Sequence, residues 1–510
     1  MSRRDSAVGI ILFLAWFIVV AFQVYDHAMW RDEVRALSIA LSGNNTFDML
    51  KVLHGEGHPS AWYLMIRAFY FLFGRVEILP ATALLIAAGA VALLIFRSPF
   101  PRLIVVALTF GSLLSFEYSV MARNYGISVL VMFLIAIAYE RQRDRGFVVG
   151  LLLFILANTN IIGAMMVGAF LLFWFLDVLE ETGLRWSAKL GTFALNAGLA
   201  TAGVAICALT ILPTFNDAAT RDLQGVSLVQ IVIRALLNPG RTAISTILFG
   251  DYPSIIKSIF FIILPFGLLS RRPAFFSALF SLFICAVFFS VIGSGDQRHA
   301  GVWFFYCVML YWISWRDIEK ATMATAEPSW SKKLVIAGMF GFMVLITQQT
   351  AKGIYLGFLR IAHLAPVESR SADLGKLILS RSDLANATII ADPDYLVEAL
   401  PYYVPNPTYL IRKHGLGRFV IFSRTGELTT TLGEILDESR ELKKTTNAPV
   451  IILLSHRLDE MVPDKLYHEG YNWSFKASTE EIKEFMGATQ RLAQFAPAVS
   501  DESYDVYLLD

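Results

Sequence analysis

The chain has 510 residues, of which 56% are hydrophobic and only 17% charged, and its formal net charge is +1. That composition excludes a water-soluble globular protein and leaves no basic footprint for nucleic acid, so the chain reads as a polytopic membrane protein. Cys207, Cys285 and Cys307 lie in or beside apolar runs, which makes them packing residues and not a disulfide framework.

The first apolar run, Val8 to Val24, follows Ser2-Arg3-Arg4. No small-residue cleavage pattern comes after it, so it reads as a retained span. Trp30-Arg31-Asp32-Glu33 comes next, and the stretch from Glu33 to Leu41 has a helical pattern. After it stands His54-Gly55-Glu56-Gly57-His58-Pro59, whose glycines argue for a loop. Ser60 to Gly74 is apolar but short, with Arg67 in its middle; it is expected to lie flat on the membrane surface. Further runs fall at 78–96, 103–120, 125–139, 147–158, 161–178, 188–212, 254–270, 274–293, 300–315 and 333–350. With the first, these give about eleven expected spans of the length a bilayer requires.

Lys and Arg mark cytoplasmic loops. With the N-terminus inside, the connectors holding Arg97/Arg102, Arg141/Arg143/Arg145, Arg185/Lys189, Arg271/Arg272 and Arg316 to Lys333 all fall inside. The first outer loop then covers about 25–77. Glu117 to Tyr125, Asn158-Thr159-Asn160 and Asp296 to His299 share its side, as does the connector 213–253 with Arg221, Asp222, Arg234 and Arg241. The expected site therefore faces outward.

The composition changes beyond the last span, dividing the chain into a membrane domain, 1–352, and an extracytoplasmic domain, 366–510. Thr388 to Ala391, Arg418 to Phe422 and Val450 to Leu454 read as buried strands, and Leu432 to Lys443 and Ser478 to Phe495 as helices. That alternation predicts a small α/β domain with a mostly parallel sheet and Tyr504 to Leu509 as a closing edge strand. Arg412, Lys413 and His414 read as a solvated loop.

Each candidate site residue has a plain structural reading. Asp32 could cap the helix that follows it, since acidic groups suit a helix N-terminus; as a functional group it is a general base beside a phosphate leaving group. His54, Glu56 and His58 could form a turn, or hold a divalent metal ion as cofactor. Glu117 and Arg123 could pair with each other; alternatively Arg123 holds a phosphate and Glu117 touches a metal or sugar. Arg298 and His299 could bind a lipid phosphate, or Arg298 could snorkel. No GxxxxGK[ST] loop is present, so no nucleotide-driven ATPase is indicated.

Three segments carry a family resemblance. WRDEVRALSIA resembles the first outer loop of the polyprenyl-phosphate-sugar glycosyltransferases, the GT-C superfold enzymes that include the bacterial protein-mannosyltransferase-like and aminoarabinose-transferase-like groups of glycosyltransferase family 39 type. HPSAWYLMIRAFYFLFG looks like their HPP-type segment, with Ser60 in place of the second proline. FEYSVMARNYGISVL resembles their E-x-x-x-A-R-x-Y signature, and the order and spacing of the three match as well. The similarity covers residues 1–160, is general in the later spans and does not reach the tail. The late arginine-tyrosine motif of the family corresponds at most to Arg298-His299. The resemblance implies a GT-C fold in the bacterial cytoplasmic membrane. It implies Asp32 as catalytic base supported by Glu33, with Glu117, Arg123 and Tyr125 lining the donor pocket. The implied partners are a polyprenyl-phosphate sugar donor, a glycan, glycolipid or protein acceptor, and the bilayer, with no nucleic acid. The rival readings are a flippase of lipid-linked saccharide and a polymerase or ligase using diphosphate-linked donors.

Overall fold

A computed structural model describes residues 3–54, 56–211, 227–292, 295–323, 330–423 and 426–510. Arg221 and Asp222, expected in the long connector, lie outside them. The chain forms a helical membrane domain followed by an α/β domain.

Among the described residues, seven helices are long and apolar enough to cross a membrane. Numbering all helices in chain order, the first is α1 (Arg3–Asp26). Three short surface helices follow: α2 (Arg31–Ala40), α3 (Thr46–Val52) and α4 (Ala61–Phe73). Next come α5 (Ile78–Arg97), α6 (Arg102–Thr109), α7 (Tyr125–Gln142), α8 (Val148–Ala157), α9 (Ile161–Thr182) and α10 (Ala188–Ile211). The domain ends with α11 (Leu228–Leu237), α12 (Ser254–Ile263), α13 (Arg272–Ile292), α14 (Gln297–Met323) and α15 (Trp330–Ile361). The seven are α1, α5, α7, α9, α10, α13 and α15.

The other four expected spans are helical but differ in form. The run 103–120 breaks after α6 and closes in a π-turn at Leu113–Glu117. α8 has ten residues, a rise of only about 15 Å. α12 gives way to a 3₁₀ turn at Leu264–Leu268. α14 is long, but its run 300–315 is rich in aromatics and less apolar than the seven. Every residue from Ala300 to Trp315 is buried, which makes α14 the central helix of the bundle.

The short run at 60–74 folds as a helix of 13 residues, shorter than the seven. α4 packs beside α2, and Arg67 donates to the carbonyls of Ala40 (2.8 Å) and Ser42 (2.9 Å). A guanidinium at those orphan carbonyls caps the end of α2. Gly74, at φ +65°, ends α4 in the left-handed conformation that glycine adopts at least cost.

Ionic groups gather at both ends of α7, which are about 27 Å apart by helix rise. At one end Asp177 accepts from Tyr139 (2.8 Å), Arg143 (2.5 Å) and Arg271 (2.9 Å), and Lys189 bonds Glu181 (2.5 Å). These are the connectors expected to share one face. At the other end lie Asp32, Arg123 and Arg298, against which the α/β domain docks.

That domain contains α16 (Ser371–Ser380), α17 (Leu432–Thr446) and α18 (Thr479–Ala488). Its strands are β1 (Thr388–Asp392), β2 (Thr408–Leu410), β3 (Gly415–Leu416), β4 (Thr429–Thr431), β5 (Val450–Leu454), β6 (Tyr467–His468), β7 (Ser474–Lys476), β8 (Gln490–Phe495) and β9 (Tyr504–Leu509). The main sheet has the order β3-β2-β1-β5-β9-β8, and β4-β7-β6 form a second, small sheet. Only β2-β1-β5 are parallel; β3, β9 and β8 join antiparallel, so the sheet is mixed.

Three expectations for this domain are corrected. Tyr504–Leu509 is an internal strand, buried along its whole length between β5 and β8. The segment expected to be helical to Phe495 leaves the helix at Ala488 and returns as the edge strand β8, where Arg491 pairs with Asp505 (2.7 Å). Arg418 to Phe422 is not a strand. Its apolar residues are divided: Phe419 packs against the membrane-domain core, Val420 is buried in the α/β core with its N–H donating to Glu398 (2.6 Å), Ile421 is exposed, and Arg35 lies 5.2 Å from the Phe422 ring.

Arg412 is not a solvated loop residue either. It is buried under Trp473 and donates to Asp392 (2.6 Å) and Glu469 (3.2 Å), which are themselves 1% and 2% exposed. Removing one member of a buried ionic cluster strands the others. Arg412→Ala is expected to destabilise the domain by about 3–5 kcal/mol. Denaturant unfolding of the full-length protein, followed by fluorescence of Trp473, measures it. A loss below about 1 kcal/mol, the range of exposed pairs, would contradict the cluster's role.

Candidate functional site beside Asp32

The site begins with the turn between α1 and α2. Trp30 occupies the N-cap of α2 with extended backbone, and its N–H donates to Glu33 Oε2 (3.2 Å). Glu33 is fully buried; it also meets His27 Nε2 (2.8 Å) and accepts from the Ala122 N–H (2.5 Å). One carboxylate thus ties the end of α1, the start of α2 and the segment before α7 together. Glu33 closes the cap, the structural role that was open to Asp32. Its buried, bonded carboxylate holds the site in place rather than facing a substrate.

Asp32 is thereby left free to point toward the segments before α7 and α14. Arg123 Nη1 lies 2.6 Å from Oδ2, Arg298 Nη2 3.7 Å from the same oxygen, and Arg31 Nε 3.8 Å from Oδ1. Burial alone would raise the carboxyl's pKa. Arg123, then Arg298 and Arg31, outweigh burial and hold it well below the usual carboxylate range. Asp32, Arg123 and Arg298, far apart in sequence, meet at one point.

Tyr125 and His299 also meet. The Asp296 N–H donates to His299 Nδ1 (3.1 Å), which leaves the ring proton on Nε2, 2.8 Å from the Tyr125 hydroxyl. Glu117 does not pair with Arg123. It lies within electrostatic reach of Asp296, Arg298, Lys352 and Arg360, on the Arg298 side of the site.

His54, Glu56 and His58 are not brought together. Glu56 is engaged by Arg35, whose Nε donates to it (3.1 Å) and whose guanidinium also binds Glu398. His58 faces Arg123 (3.3 Å), and His54 is exposed. Burial, reinforced by the charge of Arg123, pushes the His58 imidazole down to about 3, so it is neutral at physiological pH. Among the described residues, no three His, Cys, Asp or Glu side chains converge as a metal set.

Asp32 and Arg123 open onto a cavity of about 180 Å³. Arg31, Arg35, His58, Trp62 and Tyr63 line it from the membrane domain; Glu398, Phe422 and Tyr471 line it from the α/β domain. The two domains are joined around it. Glu502 accepts from the Arg31 N–H (2.6 Å), Asp501 pairs with Arg31 (2.9 Å), and the Met29 carbonyl accepts from Ser371 (2.8 Å) and Tyr403 (3.1 Å). Sequence reasoning missed Arg31, Arg35, Trp62 and the α/β-domain residues as parts of the site. Arg31 and Arg35, one helical turn apart and so on one face of α2, were the available signal. Arg234 and Arg241 are exposed and do not line the cavity.

Chemically, the site offers a carboxylate able to take a proton, two guanidiniums able to hold a phosphate, and a cavity in which a second reactant can meet them. No protein-family model matches the chain, and no curated protein matches it.

Proposed function

We propose that the protein is a GT-C-type membrane glycosyltransferase that moves a sugar from a polyprenyl-phosphate donor to an acceptor hydroxyl. The observation that carries this reading is the meeting of Asp32 with Arg123 and Arg298 beside the cavity. The motif resemblance of residues 1–160 points the same way. In the reaction, the acceptor oxygen attacks the anomeric carbon and gives its proton to Asp32. The bond from that carbon to the phosphate oxygen breaks, and the polyprenyl phosphate leaves with its charge held by Arg123 and Arg298. A single displacement inverts the anomeric centre. A divalent metal ion could share the charge of the leaving phosphate.

The same two arginines face Asp32 and the phosphate, and this gives an order of events. Without donor, they hold the Asp32 carboxylate as a weak base. Once a phosphate draws them away, the carboxylate is relieved of their charge and its basicity rises. The base is then strongest when a leaving group is in place. A flippase would call for charged groups along a path through the bundle, whereas the stretch of α14 from Ala300 to Trp315 has no Asp, Glu, His, Lys or Arg.

The proposed setting is the bacterial inner membrane, with about eleven spans, the N-terminus cytoplasmic and the α/β domain outside. A reporter active only outside the cytoplasm, fused after Asp510, should be active. Activity of a cytoplasm-only reporter there would overturn this orientation and put the site on the wrong face. The test of function is a transfer assay with purified protein and polyprenyl-phosphate sugar, comparing wild type with Asp32→Asn.

A further inference from the structure

Beyond its charged residues, the cavity beside Asp32 is lined by Trp62, Tyr63, Asn124, Phe422 and Tyr471. Arg298 does not line it. Three buried polar atoms on its lining residues have no hydrogen-bond partner: Arg31 Nη1, Trp62 Nε1 and Asn124 Oδ1. Asn124 donates its amide nitrogen to the Thr159 carbonyl (2.6 Å), so its oxygen is fixed as the free acceptor. Buried polar atoms are nearly always paired, and leaving one unpaired is costly. Two donors and one acceptor around one small space call for a ligand that both accepts and donates.

Part of the lining is aromatic. Phe422 and Tyr471 of the α/β domain stack with ring centroids 3.8 Å apart and 26° between planes, and both line the cavity. Tyr471 holds this position at φ +62°, a left-handed conformation unusual for a bulky side chain. Backbone strain of this kind concentrates where it positions a group for function. The space of about 180 Å³ is below the roughly 300–1,000 Å³ of drug-sized clefts.

From these observations we infer that the cavity is the acceptor subsite, and that the acceptor is a carbohydrate whose terminal pyranose ring is held between the two domains. A pyranose has an apolar C–H face for the Phe422–Tyr471 pair. It has hydroxyls around its rim for Arg31, Trp62 and Asn124. The small volume suits one ring at the end of a glycan. A peptide acceptor would present one hydroxyl on an extended backbone and would not use the aromatic wall. This inference rests on the transferase reading for the name acceptor, but the sugar-binding wall is tested without turnover.

The test is saturation-transfer NMR on the full-length protein in a zwitterionic detergent without a sugar headgroup. The probes are the methyl glycosides of glucose, galactose, mannose and N-acetylglucosamine at millimolar concentration. At least one should give ring-proton signals. Tyr471→Gly, which suits the left-handed backbone while removing the ring, should weaken binding about tenfold, as should Phe422→Ala. Asp32→Asn should still bind the glycoside. Added polyprenyl phosphate should not displace it. No signal from any glycoside, or binding indifferent to both aromatic variants, would overturn the inference. So would Tyr471-dependent binding of a serine/threonine peptide in place of the sugars. Displacement by polyprenyl phosphate would overturn the acceptor assignment in favour of the donor's own sugar. Each of these results leaves the dependence of turnover on Asp32 untouched. Conversely, normal turnover by Asp32→Asn would leave the sugar binding standing.

Discussion

Asp32→Asn is expected to lower the rate of sugar transfer by about 10²–10⁴-fold, the usual contribution of a positioned general base. The substitution keeps the size of the side chain but removes the atom that receives the proton. Donor binding should hold or tighten, because Arg123 and Arg298 lose the carboxylate that competes with a phosphate for them. The fold should persist, since it is Glu33 that closes the helix cap and ties in the Ala122 backbone. Turnover and donor affinity, measured in parallel on purified protein, separate these effects. Normal turnover by a folded Asp32→Asn protein would remove Asp32 from the chemistry and turn attention to Glu117.

Arg123→Ala should show the reverse emphasis. Truncating a buried, hydrogen-bonded charge at a binding site costs about 2–5 kcal/mol, so donor affinity should fall by well over tenfold. The change also reaches two titrating neighbours. Asp32 loses the largest charge that keeps its carboxyl low, and His58 loses a cation that helps keep its imidazole neutral. Both groups should then titrate at higher pH. A depressed carboxyl remains ionised until the pH falls through its own pKa; raising that pKa moves the loss of base to higher pH. The acid limb of the transfer rate should therefore move to higher pH in Arg123→Ala. An unchanged donor affinity and an unchanged pH profile would exclude Arg123 from the site.

Much of this arrangement was legible in the sequence because membranes demand it. Long apolar runs cannot hide, so all seven long apolar helices were expected, as was a short helix carrying Arg67. Asp32 stood out because an acidic pair follows the first span directly, although a helix cap would have accounted for it too. Its partners were harder to read. Arg123 and Glu117 were near neighbours in sequence, which made their pairing plausible. Yet the π-turn at Leu113–Glu117 sends Glu117 toward Arg298 and Lys352, while Arg123 turns to Asp32. Glu56 and His58 looked like metal ligands because their types and spacing allow it; Arg35, from a different helix, had no sequence signal for claiming Glu56. In the α/β domain, Arg418 to Phe422 had the composition of a strand. A loop that tucks Phe419 and Val420 into two neighbouring cores carries the same apolar signature as a strand buried in a sheet, and local pattern does not separate them.

The long reach of the domain joint sets a timetable for the newborn chain. The Arg31 amide meets its acceptor on Glu502, 471 residues later. At ribosomal speeds of about 5–20 residues per second, that interval lasts roughly 25–95 s. Throughout it the Arg31 amide waits, while the Met29 carbonyl's partners Ser371 and Tyr403 and the rings of Phe422 and Tyr471 are made before Glu502 arrives. Chains cut short before the final strands would keep Glu398, Phe422 and Tyr471 but lack the Asp501 and Glu502 contacts that join them to Arg31. A ribosome that stalls late would thus leave a membrane domain with Asp32, Arg123 and Arg298 in place but without the contacts that fasten the α/β domain over them.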